Sequence, residues 1–101
     1  MQRTIHLDRV ALDGFVVRRR SATMMWEQTR EQPLAEPGRG WHAYIACGSL
    51  PARIQAGPTP ILLDATLSDG RTLSTAATVV ERQDDAYGTV LRLVDPSSPG
   101  L

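Results

Sequence analysis

Residues 61–94 read ILLDATLSDGRTLSTAATVVERQDDAYGTVLRLV, and this stretch decides the fold class. Apolar and polar side chains alternate along residues 61–67, as they do in a strand with one buried face. The sequence Ser68-Asp69-Gly70-Arg71 is typical of a hairpin turn, and a long second strand follows over residues 72–82. A third strand over residues 87–94 completes the pattern. The stretch therefore predicts a three-stranded antiparallel meander.

The same signals occur earlier in the chain. Thr4–Leu12 alternates, Asp13-Gly14 is a two-residue hairpin turn in which Gly supplies a positive φ, and Phe15–Val17 returns as a second strand. Trp41–Cys47 predicts a strand with Trp, Ala, Ile and Cys on one face and His, Tyr and Ala on the other. Leu50–Gln55 is predicted as a further short strand.

Two places in this pattern are irregular. Ser21–Gln32 could be a short helix capped by Ser21, with Pro33 after its end, or a third strand of the first meander; the strand is favoured. The long strand changes its alternation near Ala76-Ala77, which predicts a bulge or a bend there.

About seven short strands at turn intervals of 8–12 residues predict an all-β fold. We expect a small antiparallel β-sandwich or a partly open β-barrel with at most one short helix. Residues 1–95 form a single domain in this interpretation, and residues 96–101 form a flexible tail. The apolar side chains that compete for the interior predict a packed core rather than a lumen: Ile61, Leu63, Leu67, Leu91 and Leu93.

Charge and composition exclude several classes of function. The 101 residues carry a formal net charge of zero, which argues against nucleic-acid binding. Every basic residue is Arg and Asn is absent, which indicates a GC-rich, actinobacterial genome. Cys47 is the only cysteine, and no apolar run approaches the ~20 residues of a membrane span. We therefore expect a cytoplasmic protein with no membrane association.

No catalytic or metal-binding arrangement is recognisable in the sequence. His6 and His42 have no metal-ligand spacing, and with one cysteine they cannot assemble a common zinc site. Cys47 lies five residues from His42, on the opposite face of a flat strand, and is interpreted as a small core residue. We expect no catalytic residue, no metal and no cofactor.

Candidate binding residues fall into two groups. The first group suits the rim of a pocket: Arg39, in a flexible glycine-flanked stretch, and the residues Trp41, His42 and Tyr44 that follow it, although Trp41 could equally belong to the core. In Arg18-Arg19-Arg20, alternation places Arg18 and Arg20 on one side, where two guanidinium groups could grip a phosphate or carboxylate. The alternative is a solvated strand end.

Two families resemble this chain. The order Gln32-Pro33-Leu34, Gly38 to His42, Ala76 to Glu81 and Asp85 to Gly88 resembles an actinobacterial β-domain of undetermined activity. That domain occurs alone or at the C-terminus of flavin-containing monooxygenases, and the resemblance implies an accessory domain.

Residues 61–94 are also similar to the closing strands of PilZ domains, small β-barrels that bind cyclic-di-GMP, and Arg18-Arg19-Arg20 resembles their arginine-bearing entry segment. Since no two arginines here have the R-x-x-x-R spacing, this resemblance implies a degenerate PilZ-like regulatory domain.

The sequence thus predicts a non-catalytic binding or accessory module that recognises a small molecule or a protein partner, with a homodimer as one option. One alternative is a small β-barrel enzyme that tailors a natural product by shape and hydrogen bonding. The other is the PilZ-like regulatory domain.

Overall fold

The computed structural model describes residues 2–27 and 40–97, and all regular structure in these ranges is β-strand. The strands are β1 (Gln2–Leu12), β2 (Phe15–Val16), β3 (Arg19–Glu27), β4 (His42–Cys47), β5 (Ile61–Leu67), β6 (Thr72–Asp85) and β7 (Gly88–Val94). The predicted all-β class with seven strands is confirmed. The ambiguous segment that begins at Ser21 is strand as far as Glu27, and residues 28–32 lie outside the described residues.

Six strands form a closed antiparallel barrel in the order β1-β3-β4-β7-β6-β5, with β5 pairing back onto β1. The seventh, β2, is an extra strand joined to the end of β1 by the predicted turn. Asp13 (φ 47°) and Gly14 (φ 81°) both have positive φ, as a type I′ turn requires. Closure gives the barrel strands partners on both sides, which a sandwich with open edges would not.

Strand β1 closes the barrel by changing partner half-way along its length. Gln2–His6 pairs with β3, whereas Leu7–Leu12 pairs with β5, and the register shifts between Leu7 and Arg9. Where β1 leaves β3, the Arg19 side chain donates from Nε to the Asp8 carbonyl oxygen. Asp8 has no partner in the β1–β3 or the β1–β5 ladder, and Arg19 supplies a donor to its carbonyl group.

Strand β6 bends in the same manner. Thr72–Ala77 pairs with β5, whereas Thr78–Asp85 pairs with β7. The register shifts between Val79 and Glu81, so the predicted bulge exists but lies beyond Ala76-Ala77. The three-stranded meander β5-β6-β7 is confirmed.

The barrel interior is filled by apolar side chains from all six barrel strands. Those with no exposed surface include Val10, Leu12, Met24, Ala43, Ile45, Leu63, Leu91 and Leu93. Burial of a large apolar side chain contributes roughly 1.5–3 kcal/mol to stability. The core therefore contributes a large part of the stability. The predicted packing of the interior is confirmed for Leu63, Leu67, Leu91 and Leu93, whereas Ile61 is only half-buried.

The segment after β4 is not the predicted strand Leu50–Gln55; that prediction was wrong. This segment is irregular, and it covers the part of β6 that β5 does not reach. Ile54 is completely buried against the core, and the Gly57 amide donates to the Val79 carbonyl oxygen (3.0 Å). Pro51 lacks an N–H to donate to a ladder, which is consistent with coil at this position.

Four residues form a row across one end of the barrel. Arg3 of β1 is directly opposite Trp26 of β3. Trp41 precedes β4, and its carbonyl oxygen accepts from the amide of Asp95, which follows β7 (3.0 Å). The Asp95 carboxylate also accepts from the Gly40 amide (3.0 Å). We call Arg3, Trp26, Trp41 and Asp95 the end row.

The predicted tail, residues 96–101, is described only as far as Ser97. The Ser97 amide and hydroxyl donate to Asp95 Oδ1 at 3.0 and 2.7 Å. In the ranges described, no helix is long and apolar enough to cross a membrane.

Candidate functional site

Strand β4 divides the predicted aromatic site between the inside and the outside of the barrel. Trp41 is 4% exposed and belongs to the core. His42 is half-buried and Tyr44 is 40% exposed, both on the outer surface. Their rings meet edge to face, with centroids 5.7 Å apart and an interplanar angle of 89°. The structure therefore brings His42 and Tyr44 together and separates them from Trp41.

The neighbouring strands add three residues that were not selected from the sequence. Met25 of β3 lies opposite His42, and Arg92 of β7 lies opposite Tyr44. Val90 of β7 is 38% exposed on the same side of the sheet. We call Met25, His42, Tyr44, Val90 and Arg92 the outer β4 face. Sequence alone could not select Arg92, because the β4–β7 register decides which residue lies beside Tyr44.

The arginine run lies at the other end of β4. The Gly48 amide donates to the Arg18 carbonyl oxygen (3.0 Å), and Arg18, Arg19 and Arg20 are all exposed. The β3–β4 register shifts between Arg19 and Ser21, so Arg20 is an extra residue and the predicted alternation of the three arginines is broken. At about 3.3 Å per residue, the length of β4 separates this run from His42 by about 16 Å.

Arg20 lies beside an unusually close approach of two strands. A Cβ atom on Gly88 would lie 2.2 Å from the Cys47 carbonyl oxygen and 3.1 Å from Arg20 Nη2. Gly88 also has a φ of 136°, a backbone conformation that residues with a Cβ atom rarely adopt. Arg18 and Arg20 remain candidate anion ligands on the exposed surface, and Arg39 lies outside the described residues.

Arg82 is the most highly connected charged side chain in the described ranges, and the sequence analysis missed it. Its Nη1 donates to the carbonyl oxygens of Pro51 (2.8 Å) and Ile54 (2.7 Å), and its Nη2 donates to that of Leu50 (3.2 Å). Nε lies 3.2 Å from Asp84 Oδ2. Arg82 thus fixes the irregular segment to β6. No signal for this role was present in the sequence, because Arg82 lies within the polar run of residues 81–85.

Two groups near Arg82 have shifted pKa values. Hydrogen bonds from the Thr89 hydroxyl, 2.6 Å from Oδ1, and from Arg82 lower the pKa of Asp84. Burial raises the pKa of the Cys47 thiol, although the charges of Arg82 and Arg20 act in the opposite direction. A buried thiol with a raised pKa is a poor nucleophile. Cys47 therefore behaves as a core residue.

Among the surface depressions of the described residues are two that lie away from the outer β4 face, one near Arg82 and one near the β1–β2 hairpin. One, of about 460 Å³, is bordered by Gly48–Leu50, Arg82 and the β6–β7 turn, where Tyr87 is 81% exposed. The other, of about 370 Å³, lies between the β1–β2 hairpin and strands β5 and β6, with Arg9 and Asp64 in its wall. Among residues 2–27 and 40–97, no three His, Cys, Asp or Glu side chains are grouped to hold a metal ion.

Comparison of the chain with protein-family models, curated proteins and solved structures found no match.

Proposed function

We propose that this chain is a non-catalytic binding module that recognises a protein partner through the outer β4 face. The observation that carries the proposal is the exposed Tyr44, which has His42 at its edge and Arg92 opposite it on a barrel with a filled interior. Tyr, Arg and Met are enriched at protein interfaces, and Tyr and Arg supply many of their energetic hot spots.

The shape of this face favours a protein over a small molecule. Small-molecule sites are concave and bury most of the ligand. His42 and Tyr44 instead project from the outside of a sheet, and the two depressions described above have other residues in their walls. An outward-facing sheet surface suits a partner that brings a matching surface of its own.

The small β-barrel enzyme has less support. Its lumen requires on the order of 300 Å³ or more for a substrate. Leu63, Leu91 and Leu93, each with no exposed surface, occupy that space. A substrate could enter only if the core repacked.

A capture experiment with purified protein tests the proposal. Immobilised wild-type chain, the variant Tyr44→Ala/Arg92→Ala and the control Leu62→Ala/Arg9→Ala are exposed to lysate of the source organism. Leu62 is 46% exposed and Arg9 is exposed, so the control removes a similar pair from elsewhere on the barrel. Any protein retained by wild type is identified, purified and titrated against all three.

We expect the purified partner to bind the Tyr44/Arg92 variant at least tenfold more weakly, since loss of a hot spot costs about 2 kcal/mol or more. The control should bind like wild type. Equal binding of the partner to wild type and to the Tyr44/Arg92 variant contradicts the proposal, as does recovery of no partner. Sedimentation equilibrium on the same samples shows whether a second copy of the chain is the partner.

A further inference from the structure

Two buried nitrogen atoms in the end row have no hydrogen-bond acceptor. They are Arg3 Nε and Trp26 Nε1, and neither finds a partner in the part of the chain that the structure describes. Trp26 is 2% exposed and Arg3 is half-buried. The two residues are direct cross-strand partners, so their Cβ atoms lie about 4.5–5.5 Å apart. Two unpaired donors thus belong to one small region of the barrel end.

Such a pair is unusual because roughly 90% or more of buried backbone groups, and most buried side-chain polar atoms, have a partner. A buried donor without a partner is destabilising, and a charged group without one is more so. Other polar atoms of the end row are engaged: Asp95 accepts from Gly40 and Ser97, and the Trp41 carbonyl oxygen accepts from Asp95. Arg3 Nε and Trp26 Nε1 are therefore the donors of the end row that still lack an acceptor among the described residues.

We propose that Arg3 and Trp26 bind the carboxylate of a small organic acid. Both groups are donors only, so their ligand must accept hydrogen bonds. The end row already holds the Asp95 carboxylate as well as the single positive charge of Arg3, so a singly charged monocarboxylate is favoured over a doubly charged phosphate. A guanidinium group can hold a carboxylate bidentately, leaving one oxygen lone pair for the indole N–H.

The core limits the size of this acid. Ile5 and Met24, the next inward-facing residues of β1 and β3, are 7% and 0% exposed, and they are direct partners in the ladder. They close the interior beneath the end row. The acid therefore lies at the barrel end and does not extend into the core. This site is separate from the outer β4 face, and either can exist without the other.

The indole N–H group of Trp26 provides a direct readout. The chain contains two tryptophans, so a ¹⁵N–¹H spectrum shows two indole peaks, and Trp26→Phe identifies the one from Trp26. Wild-type protein is titrated at constant pH and ionic strength with sodium acetate, sodium phosphate or sodium chloride. We expect acetate to give a saturable downfield shift of the Trp26 peak, with chloride and phosphate giving smaller changes.

Variants locate the site. Arg3→Gln is expected to weaken acetate binding about tenfold or more, since a hydrogen bond to a charged group contributes about 1.5–3 kcal/mol. Arg9→Gln, on the exposed surface of the same strand, should leave it unchanged. The proposal is overturned by a non-saturable shift, by an equal response to chloride, by tighter phosphate binding or by undiminished acetate binding in folded Arg3→Gln. The wild-type titration alone decides whether the site exists if Arg3→Gln does not fold.

Discussion

Arg82 is expected to stabilise the barrel through its guanidinium group, and Arg82→Met tests this while keeping an unbranched side chain in place. The substitution removes the donors to the carbonyl oxygens of Leu50, Pro51 and Ile54. Three hydrogen bonds from a charged donor correspond to at most about 4.5–9 kcal/mol. Leu50 and Pro51 are half-buried and the Arg82 side chain is 15% exposed. Water can therefore replace some of the hydrogen bonds that the carbonyl groups lose in the variant. We expect a loss of about 3 kcal/mol.

For a domain of this size, about 3 kcal/mol lowers the melting temperature by about 12–24 °C. Urea denaturation followed by tryptophan fluorescence measures the free energy of unfolding directly. The matched control is Arg71→Met, because Arg71 is 37% exposed and pairs with Asp69 in a hairpin turn. An exposed pair of this kind contributes little to stability, so Arg71→Met should unfold close to wild type.

A second measurement locates the effect. The Gly57 amide, which donates to the Val79 carbonyl oxygen, reports on the irregular segment that Arg82 fixes. Its hydrogen exchange should accelerate more in Arg82→Met than that of the β4 amides. The reasoning is refuted if Arg82→Met unfolds within 1 kcal/mol of wild type, or if Arg71→Met is equally destabilising.

Three further predictions concern residues near Arg82, at the end of the barrel opposite the end row. Gly88→Ala should lower the free energy of unfolding by more than about 2 kcal/mol, because its Cβ would lie 2.2 Å from a carbonyl oxygen and its φ is 136°, whereas Gly57→Ala, in open space, should change it by less than about 1 kcal/mol in the same urea assay. The Cys47 thiol, whose pKa is raised by burial, should react with Ellman's reagent at pH 8 only after unfolding; fast reaction of the folded protein contradicts its place in the core. Thr89→Val should raise the pKa of Asp84 in a carboxyl NMR titration. Because the pKa of Asp84 is lowered in the folded protein, its stabilising effect is present above the unfolded pKa of about 3.9 and is lost as pH falls through the folded pKa. An unchanged pKa of Asp84 in the variant rules out the Thr89 hydroxyl as the cause of the shift.

Local patterns in the sequence predicted the strands because alternation and turn chemistry act over a few residues. The Asp13-Gly14 turn, the β5-β6-β7 meander and the inward face of β4 all follow from such patterns. The irregular segment could not be predicted in the same way. Its conformation depends on the burial of Ile54 and on Arg82, which is distant in sequence.

Bulge positions are also set by long-range contacts. Strand β6 exchanges β5 for β7 as its partner directly after Ala77, and its register shift falls two β7 pairs later, between Val79 and Glu81. The candidate site shows the same limit. Alternation placed His42 and Tyr44 on one face, but only the register of neighbouring strands could place Arg92 beside Tyr44 and Arg18 at the opposite end.

The division of β1 between two partners has a consequence for how the chain folds. Its pairing with β5 joins residues more than fifty positions apart, Leu12 with Leu63 and Leu7 with Leu67. Contacts of such separation require a long loop to close before any pairing energy is gained, and they are associated with slow folding. The hairpins β1–β2 and β5–β6–β7 need no such closure. We expect these hairpins to form early and the pairing of Leu7–Leu12 with β5 to form last.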